Sequence, residues 1–243
     1  MIKGMRAIVL AAGKGTRLLR EGDDFPKAMK PLCGKPILSY VLKSLNFLDK
    51  KDISVVVGYK REKVLDAFDG YDFVIQEEQL GTGHAVKVCE KSFEDYDGPV
   101  LIMLGDMPMF KQQTLLDMYA IQIKNGGCVI LTAVSERKLP YGRIIRDENG
   151  KFVGVAEEKD CTPEQKLIKE LNPSIYVFDA KQLFSALGEL RADNAQKEYY
   201  LTDVPTILQK RGIPVTTHTI RDDVQIIGVN TEEDLELCAE YIK

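Results

Sequence analysis

Residues 6–12, RAIVLAA, constrain this chain more than any other stretch. The run is apolar after Arg6, too short for a typical helix, and is cut off by Gly13 and Gly15 in the following GKGTRLL. A strand with one wet face would alternate polar and apolar residues, so a continuous apolar run predicts a strand buried on both faces. Similar runs return as ISVVVG at 53–58, DFVIQ at 72–76 and PVLIMLGD at 99–106. Helical spacing fills the gaps. Residues 36–48 carry Ile37, Tyr40, Val41, Ser44, Leu45 and Leu48 mainly on one face, and 61–68 and 82–93 read as helices. Short strands alternating with helices predict a mainly parallel α/β sheet covered on both sides, clearest over the first 110 residues.

Past Leu115 the order changes. CVILTAV at 128–134 is strand-like, and residues 141–160 read as two strands joined by a tight hairpin turn at Asn149 and Gly150. A polar helix is expected near 163–171, then a strand at 174–178 and a helix at 180–190. Residues 202–212 predict another helix, with Pro205 in its first turn and Gly212 at its end. A strand at 215–220 precedes a final helix at 231–242, where Thr231 is the expected N-cap and acids fill the first turn. This middle region is expected to form an antiparallel extension that walls one side of a pocket.

At about 150 residues per domain, 243 residues suggest one domain or one with a small lobe. No repeat or flexible linker divides it, so one domain over 1–243 is expected. The 33 basic and 37 acidic side chains leave a formal charge of -4, which gives no bulk attraction to nucleic acid. No apolar run approaches the roughly 18 residues of a membrane span, and the start of the chain lacks a secretory pattern, so a cytoplasmic protein with neither nucleic-acid nor membrane partners is expected. Cys33, Cys89, Cys128, Cys161 and Cys238 include no CxxC pair and are odd in number. They read as buried or half-buried free thiols rather than a zinc site or disulfide framework. His84 and His218 are too few for a three-histidine metal site.

Four segments carry chemistry. In LAAGKGTRL the glycines let the loop curve tightly and aim N–H groups at an anion, with Lys14 and Arg17 adding positive charge. The GxxxxGK(S/T) spacing of a Walker A loop is absent, and the dinucleotide fingerprint fails because position 18 is leucine. In FPKAMKPLCGKPI, Pro26 restricts the backbone beside Lys27, a cation suited to a phosphoryl group. QEEQLGTGHAV offers Gln76 and Gln79 for the edge of a base, with Gly81 and Thr82 able to approach through the backbone. Asp106 follows the most apolar strand, at the carboxyl edge where open α/β sheets place ligands, and is a reasonable magnesium ligand there. Each segment alone also fits a turn, a solvent-facing lysine, a helix entry or a cap.

In that order, LAAGKGTRL, PK, QEEQLGTGHAV, GDMP, YGRI, GVAEEKD, NAQKEYYLTD and GVN resemble the nucleoside-diphosphate-sugar pyrophosphorylases, most closely the N-acetylglucosamine-1-phosphate uridylyltransferase domain. The resemblance spans nearly the whole chain. It implies a Rossmann-like nucleotide-diphospho-sugar transferase fold, a mostly parallel mixed sheet flanked by helices with a small antiparallel sugar-binding extension. Residues up to about 110 would bind nucleotide and residues 111–243 the sugar phosphate. By resemblance, Leu10, Ala11, Ala12, Gly13 and Lys14 surround the nucleotide, Arg17 lies near its phosphates and Lys27 near the transferring phosphate. Gln76 reads uracil, and Gln79, Gly81 and Thr82 complete the nucleotide contacts. Asp106 and Asn230 hold Mg²⁺, while Gly142, Glu157, Asn172 and Asn230 bind the sugar phosphate.

The chain departs from the family at three places. Leu104 stands where a tyrosine is frequent, Asn172, Pro173 and Ser174 replace NTG, and NAQGEYY becomes NAQKEYY through Lys197. No hexapeptide repeat follows Tyr241, so the acetyltransferase activity of bifunctional relatives is not expected. The implied reaction joins UTP and N-acetylglucosamine-1-phosphate into UDP-N-acetylglucosamine and pyrophosphate, with Mg²⁺. Neighbouring alternatives are glucose-1-phosphate or N-acetylgalactosamine-1-phosphate as acceptor, dTTP or CTP as donor, or a non-catalytic nucleotide-sugar sensor. Oligomeric state stays open: a dimer through the final helix is one arrangement, and burial of that helix against the sheet explains its apolar stripe equally well.

Overall fold

A computed structural model of the chain describes residues 4–18 and 22–242, so Leu19 of the glycine-loop motif lies outside the described residues. The apolar run after Arg6 forms β1 (Arg6–Leu10). A two-strand ribbon, β2 (Pro31–Leu32) with β3 (Lys35–Pro36), leads into α1 (Ile37–Ser44). Next come β4 (Ile53–Val57), α2 (Glu62–Ala67), β5 (Asp72–Ile75), α3 (Thr82–Lys87) and β6 (Pro99–Leu104). β1 pairs with β4 and with β6, and β4 with β5, all in parallel. The chain therefore leaves β1 toward one edge and returns through β6 on its other side, which makes the gap between β1 and β6 a topological switch point.

The second half adds α4 (Gln112–Asn125), β7 (Cys128–Val134), β8 (Gly142–Arg146), β9 (Phe152–Ala156), β10 (Glu170–Asn172) and β11 (Tyr176–Asp179). After these come α5 (Ala180–Leu187), α6 (Val204–Lys210), β12 (Val215–Ile220) and α7 (Glu232–Tyr241). β11 inserts antiparallel between β6 and β7, and β12 runs parallel along the other side of β7. The pairing continues antiparallel from β7 through β10 to β8 and β9. The expected antiparallel extension is thus continuous with the main mixed sheet, and one sheet draws strands from both parts of the chain.

Alternate residues of β1 feed two cores. Ala7 and Val9 pack with Leu38, Val41, Val55, Leu101 and Leu115 on one face; Ile8 packs with Val56, Val86, Ile102 and Leu183 on the other. Both faces are dry, as the unbroken apolar run requires. A third cluster joins Leu18, Leu32, Ile37, Val229 and Cys238, so the last helix is fastened beside the glycine loop. Thr231 caps that helix with a reciprocal bond pair to Asp234.

The structure departs from the sequence reading at five points. The polar helix near 163–171 is only a single turn at Gln165–Leu167 followed by β10. Leu167 is exposed, so no apolar face exists to bury, whereas Leu171 gains ladder partners in both β7 and β8. The predicted helix at 82–93 ends as α3 at Lys87 and resumes as a separate turn at Glu90–Phe93. α4 has no counterpart in the sequence reading, because two of its four buried residues, Thr114 and Gln122, are polar. The hairpin turn is wider than a two-residue loop: Asp147 accepts backbone hydrogen bonds from Asn149 and Lys151, and Gly150 takes the left-handed position. Among the cysteines, Cys33 is exposed rather than buried, and all five are free thiols. No described helix is long and apolar enough to cross a membrane.

Candidate active site

The carboxyl ends of β1, β5 and β6 open into a cavity of about 420 Å³. Its floor is the backbone that follows β1. Ala11 donates to Val56 O (2.8 Å), Gly105 donates to Leu10 O (2.8 Å), and Gln79 Nε2 closes over Ala12 O (2.8 Å). A second cavity of about 570 Å³ adjoins it, bounded by Tyr141, Glu157, Glu158, Lys159 and Gln196. The two share Arg17, Leu104, Asp106 and Asn230 as a common wall.

That wall is a charged cluster. Lys27 Nζ donates to Asp106 Oδ2 and, at 2.9 Å, to Asn230 Oδ1, which also accepts from Arg17 at 3.2 Å. Lys27 and Asn230 are 203 positions apart in sequence, and one backbone bond accounts for their meeting: Val229 N–H donates to Asp106 O at 2.9 Å. The cluster combines two cations with one carboxylate, a net positive group suited to a polyanion; Arg17 and Asp106 border both cavities and Lys27 the first. Asp106 Oδ1 is buried and meets no donor among the described residues. An orphaned carboxylate oxygen beside an amide oxygen is an incomplete set of hard donors, which fits Mg²⁺ that draws its remaining ligands from phosphates and water. No larger cluster of three or more metal-ligating side chains occurs among the described residues.

Gly15 makes this arrangement fit. It holds φ +69°, and a Cβ there would lie 2.4 Å from Lys27 Cβ and 2.9 Å from its Cγ. The glycine is therefore required twice, for its left-handed backbone and for the lysine that lies across it. A parallel case stands at α3. Cβ atoms on Gly81 or Gly83 would meet Tyr199 O at 2.7 and 2.9 Å, where the 194–200 segment docks through Gly83 N–H to Tyr199 O and Tyr199 N–H to Leu80 O, both 2.8 Å.

All the expected nucleotide residues but one line the first cavity, namely Leu10, Ala11, Ala12, Gly13, Gln76, Gln79, Gly81 and Thr82, together with the expected catalytic and metal-holding residues Arg17, Lys27, Asp106 and Asn230. Lys14 does not; its ammonium sits 5.9 Å from the centre of the Tyr59 ring. Glu157 borders the second cavity, where burial raises its carboxyl above the ordinary value, with Asp203, Asp160 and Glu198 adding to the rise against the Thr202 hydroxyl. Gly142 and Asn172 line neither cavity. Gly142 lies behind Glu157, and Asn172 is 1% exposed, donating to Tyr176 Oη (2.7 Å) and accepting from Ser174 N–H (3.2 Å).

Sequence reasoning missed Thr16 and Glu198 in the first cavity and Tyr141, Glu158, Lys159 and Gln196 in the second. Tyr141 was findable from YGRI. Its hydroxyl bridges Ile226 O (2.7 Å) and Gly228 N–H (3.0 Å), and burial, reinforced by Asp106, holds the phenol far above its ordinary value. At two departures from the family pattern, Ser174 (φ +60°) and Lys197 (φ +55°), a side chain occupies backbone of the kind glycine adopts freely.

Fold and geometry define the class as a Rossmann-like α/β sheet with a cationic glycine loop at its switch point, a site suited to a polyanionic ligand. More particularly, the chain belongs to the MobA-like NTP transferase domain family, whose model matches residues 7–210. It is 42% identical over 226 residues to the bifunctional protein GlmU of Lactococcus lactis subsp. lactis, a match covering 92% of this chain and 49% of that protein. The bifunctional protein GlmU of Streptococcus thermophilus is 39% identical over 239 residues, 98% of this chain and 51% of the relative. The chain thus spans about half the length of these curated relatives. A solved UDP-glucose pyrophosphorylase complexed with UDP-glucose shares the fold, with a TM-score of 0.78 at 19% identity over 100% of this chain and 98% of that one.

Proposed function

We propose that this chain is a uridylyltransferase that joins UTP and N-acetylglucosamine-1-phosphate into UDP-N-acetylglucosamine, releasing pyrophosphate. One observation carries the reading: two cavities meet at a single wall made of Arg17, Leu104, Asp106 and Asn230, to which Lys27 is hydrogen-bonded from the first cavity. A nucleoside triphosphate in the first cavity and a sugar phosphate in the second would bring their phosphates together there. The part up to about residue 110 would supply most of the nucleotide site, and the remainder the sugar site together with Asn230.

A sugar-phosphate oxygen, already anionic, attacks the α-phosphorus of UTP; the P–O bond to the β-phosphate breaks on the opposite side and pyrophosphate leaves with that electron pair. No protein nucleophile or proton transfer is needed, so alignment and electrostatics carry the rate. Lys27 and Arg17 offset charge on the triphosphate and on the transition state. Asp106 and Asn230 would hold magnesium, which would supply further neutralisation of the phosphate charge. Glu157 accepts hydrogen bonds from sugar hydroxyl or amide groups, and Gln76 meets the edge of the base.

Pyrophosphate release measured across UTP, dTTP and CTP against N-acetylglucosamine-, N-acetylgalactosamine- and glucose-1-phosphate tests this reading. UTP with N-acetylglucosamine-1-phosphate should give the highest kcat/KM, and EDTA should abolish it until Mg²⁺ is restored. A preference for dTTP with glucose-1-phosphate overturns the substrates, and tight UDP-sugar binding without turnover on any pair overturns catalysis. Cytoplasmic location would follow from the chemistry of the substrates.

A further inference from the structure

The base-facing amide of Gln76 does not hold its orientation alone. Gln76 is 3% exposed, and its Nε2 lies 3.5 Å from Gly81 O and 3.1 Å from His84 Nδ1. A carbonyl can only accept, so the contact with Gly81 O requires the hydrogen-bearing end of the amide; the reverse orientation would set two acceptors against each other. The second amide hydrogen then falls on His84 Nδ1, which must be an unprotonated ring nitrogen. Both donors are thereby committed within the protein. Oε1 has no donor among the described residues, and it is not one of the sealed, unpartnered buried atoms of this site. Gln76 lines the nucleotide cavity, so it offers that cavity an acceptor.

From this geometry we infer that His84 is a positioning residue for base selection: its Nδ1 locks the Gln76 amide with the oxygen outward, which favours pyrimidines carrying an N3–H donor, uracil and thymine, over cytosine, whose N3 is an acceptor. The inference rests on the uridylyl-transfer reading for its substrate. His84 lies in the first turn of α3, on the helix whose entry is fixed by the 194–200 segment, so the imidazole is held at a set distance from β5. Without it, the amide would keep only the longer Gly81 contact and could turn over, presenting N–H donors to the base and removing the discrimination.

Two measurements test this. In the wild-type chain, ¹⁵N shifts of the imidazoles are simple to assign because His84 and His218 are the only histidines. His84 should show the tautomer protonated at Nε2; protonation at Nδ1 of the neutral ring overturns the proposal. In the variants, His84→Phe should lower the UTP-to-CTP ratio of kcat/KM by about five- to tenfold, the worth of one neutral hydrogen bond. His84→Asn, which can place an oxygen acceptor near the Nδ1 position, should restore most of that ratio. A folded His84→Phe protein with an unaltered ratio, or a loss that asparagine does not rescue, overturns the inference. A wild-type chain that turns over no nucleotide with any sugar phosphate would instead sink the uridylyl-transfer reading, while the tautomer still reports on the lock.

Discussion

Replacing Gly15 with alanine tests how far Lys27 depends on the loop beneath it. The added methyl would sit 2.4 Å from Lys27 Cβ, so the lysine must retreat by about 1 Å to reach ordinary contact. A displacement of about 1 Å in a group that aligns reacting atoms can cost about 10²-fold in rate. Alanine at φ +69° also costs roughly 1–2 kcal/mol of backbone strain wherever it occurs. Gly150 supplies the control: it holds φ +75° in the β8–β9 turn, and among the described residues no atom lies within 4 Å of where its Cβ would stand. Gly150→Ala should therefore lose similar stability, read from the urea midpoint, with turnover little altered. Gly15→Ala should lose at least that stability and about 10²-fold in kcat/KM for pyrophosphate release. If the folded Gly15→Ala protein stays within about threefold of Gly150→Ala, the claim that the loop seats Lys27 is wrong.

Asp106→Asn removes the charge but nearly keeps the shape, and should lower kcat by about 10²–10³-fold while the protein stays folded; equal turnover at saturating Mg²⁺ would reject its role. Glu157→Gln should act in two directions. Because burial raises the Glu157 carboxyl, the folded state binds its proton more tightly than the unfolded state, and stability falls as pH climbs from the unfolded value toward the folded one. The glutamine variant should melt higher than wild type at pH 7, with the gain shrinking as pH falls toward 4.5 and gone below it, while KM for the sugar phosphate rises by about tenfold or more. A melting gain that persists unchanged into acid would contradict the assigned cause. Thr231→Ala removes the cap of α7 and should cost about 1 kcal/mol by urea titration; a larger drop in turnover than in stability would show that the cap also steadies the adjacent Asn230.

Leu104 sits on the wall common to both cavities, in place of the tyrosine frequent in the resembling family. It presents no hydroxyl to either cavity, so in the proposed reading sugar recognition would fall to Glu157, Gln196 and the backbone. Gln196 Nε2 donates to Glu198 Oε2 at 3.2 Å, and these residues line the second and first cavities respectively. Lys197, between them, carries the left-handed backbone of that turn.

What could be read from the sequence follows its local physics. β1, β4 and β6 announced themselves because strands buried on both faces need unbroken apolar runs, and the glycine loop and Asp106 follow directly from where those strands end. Thr231 was legible as a cap for the same local reason. α4 was not, since its buried face includes Thr114, whose hydroxyl is satisfied by Gln225 Oε1 at 2.8 Å from 111 residues away. β10 was hidden because three residues gain strand character only from the partners on either side. The site divides the same way: residue types on the early loops pointed to anionic ligands, but their selection was tertiary. Lys14 turns toward Tyr59, Lys27 crosses Gly15 into the cluster, and Asn230 reaches Asp106 through the bond from Val229. Periodicity and turn chemistry act over a few residues and so were written in the chain, whereas which distant cation, carboxylate and amide share one wall is decided only when the sheet brings its carboxyl ends together.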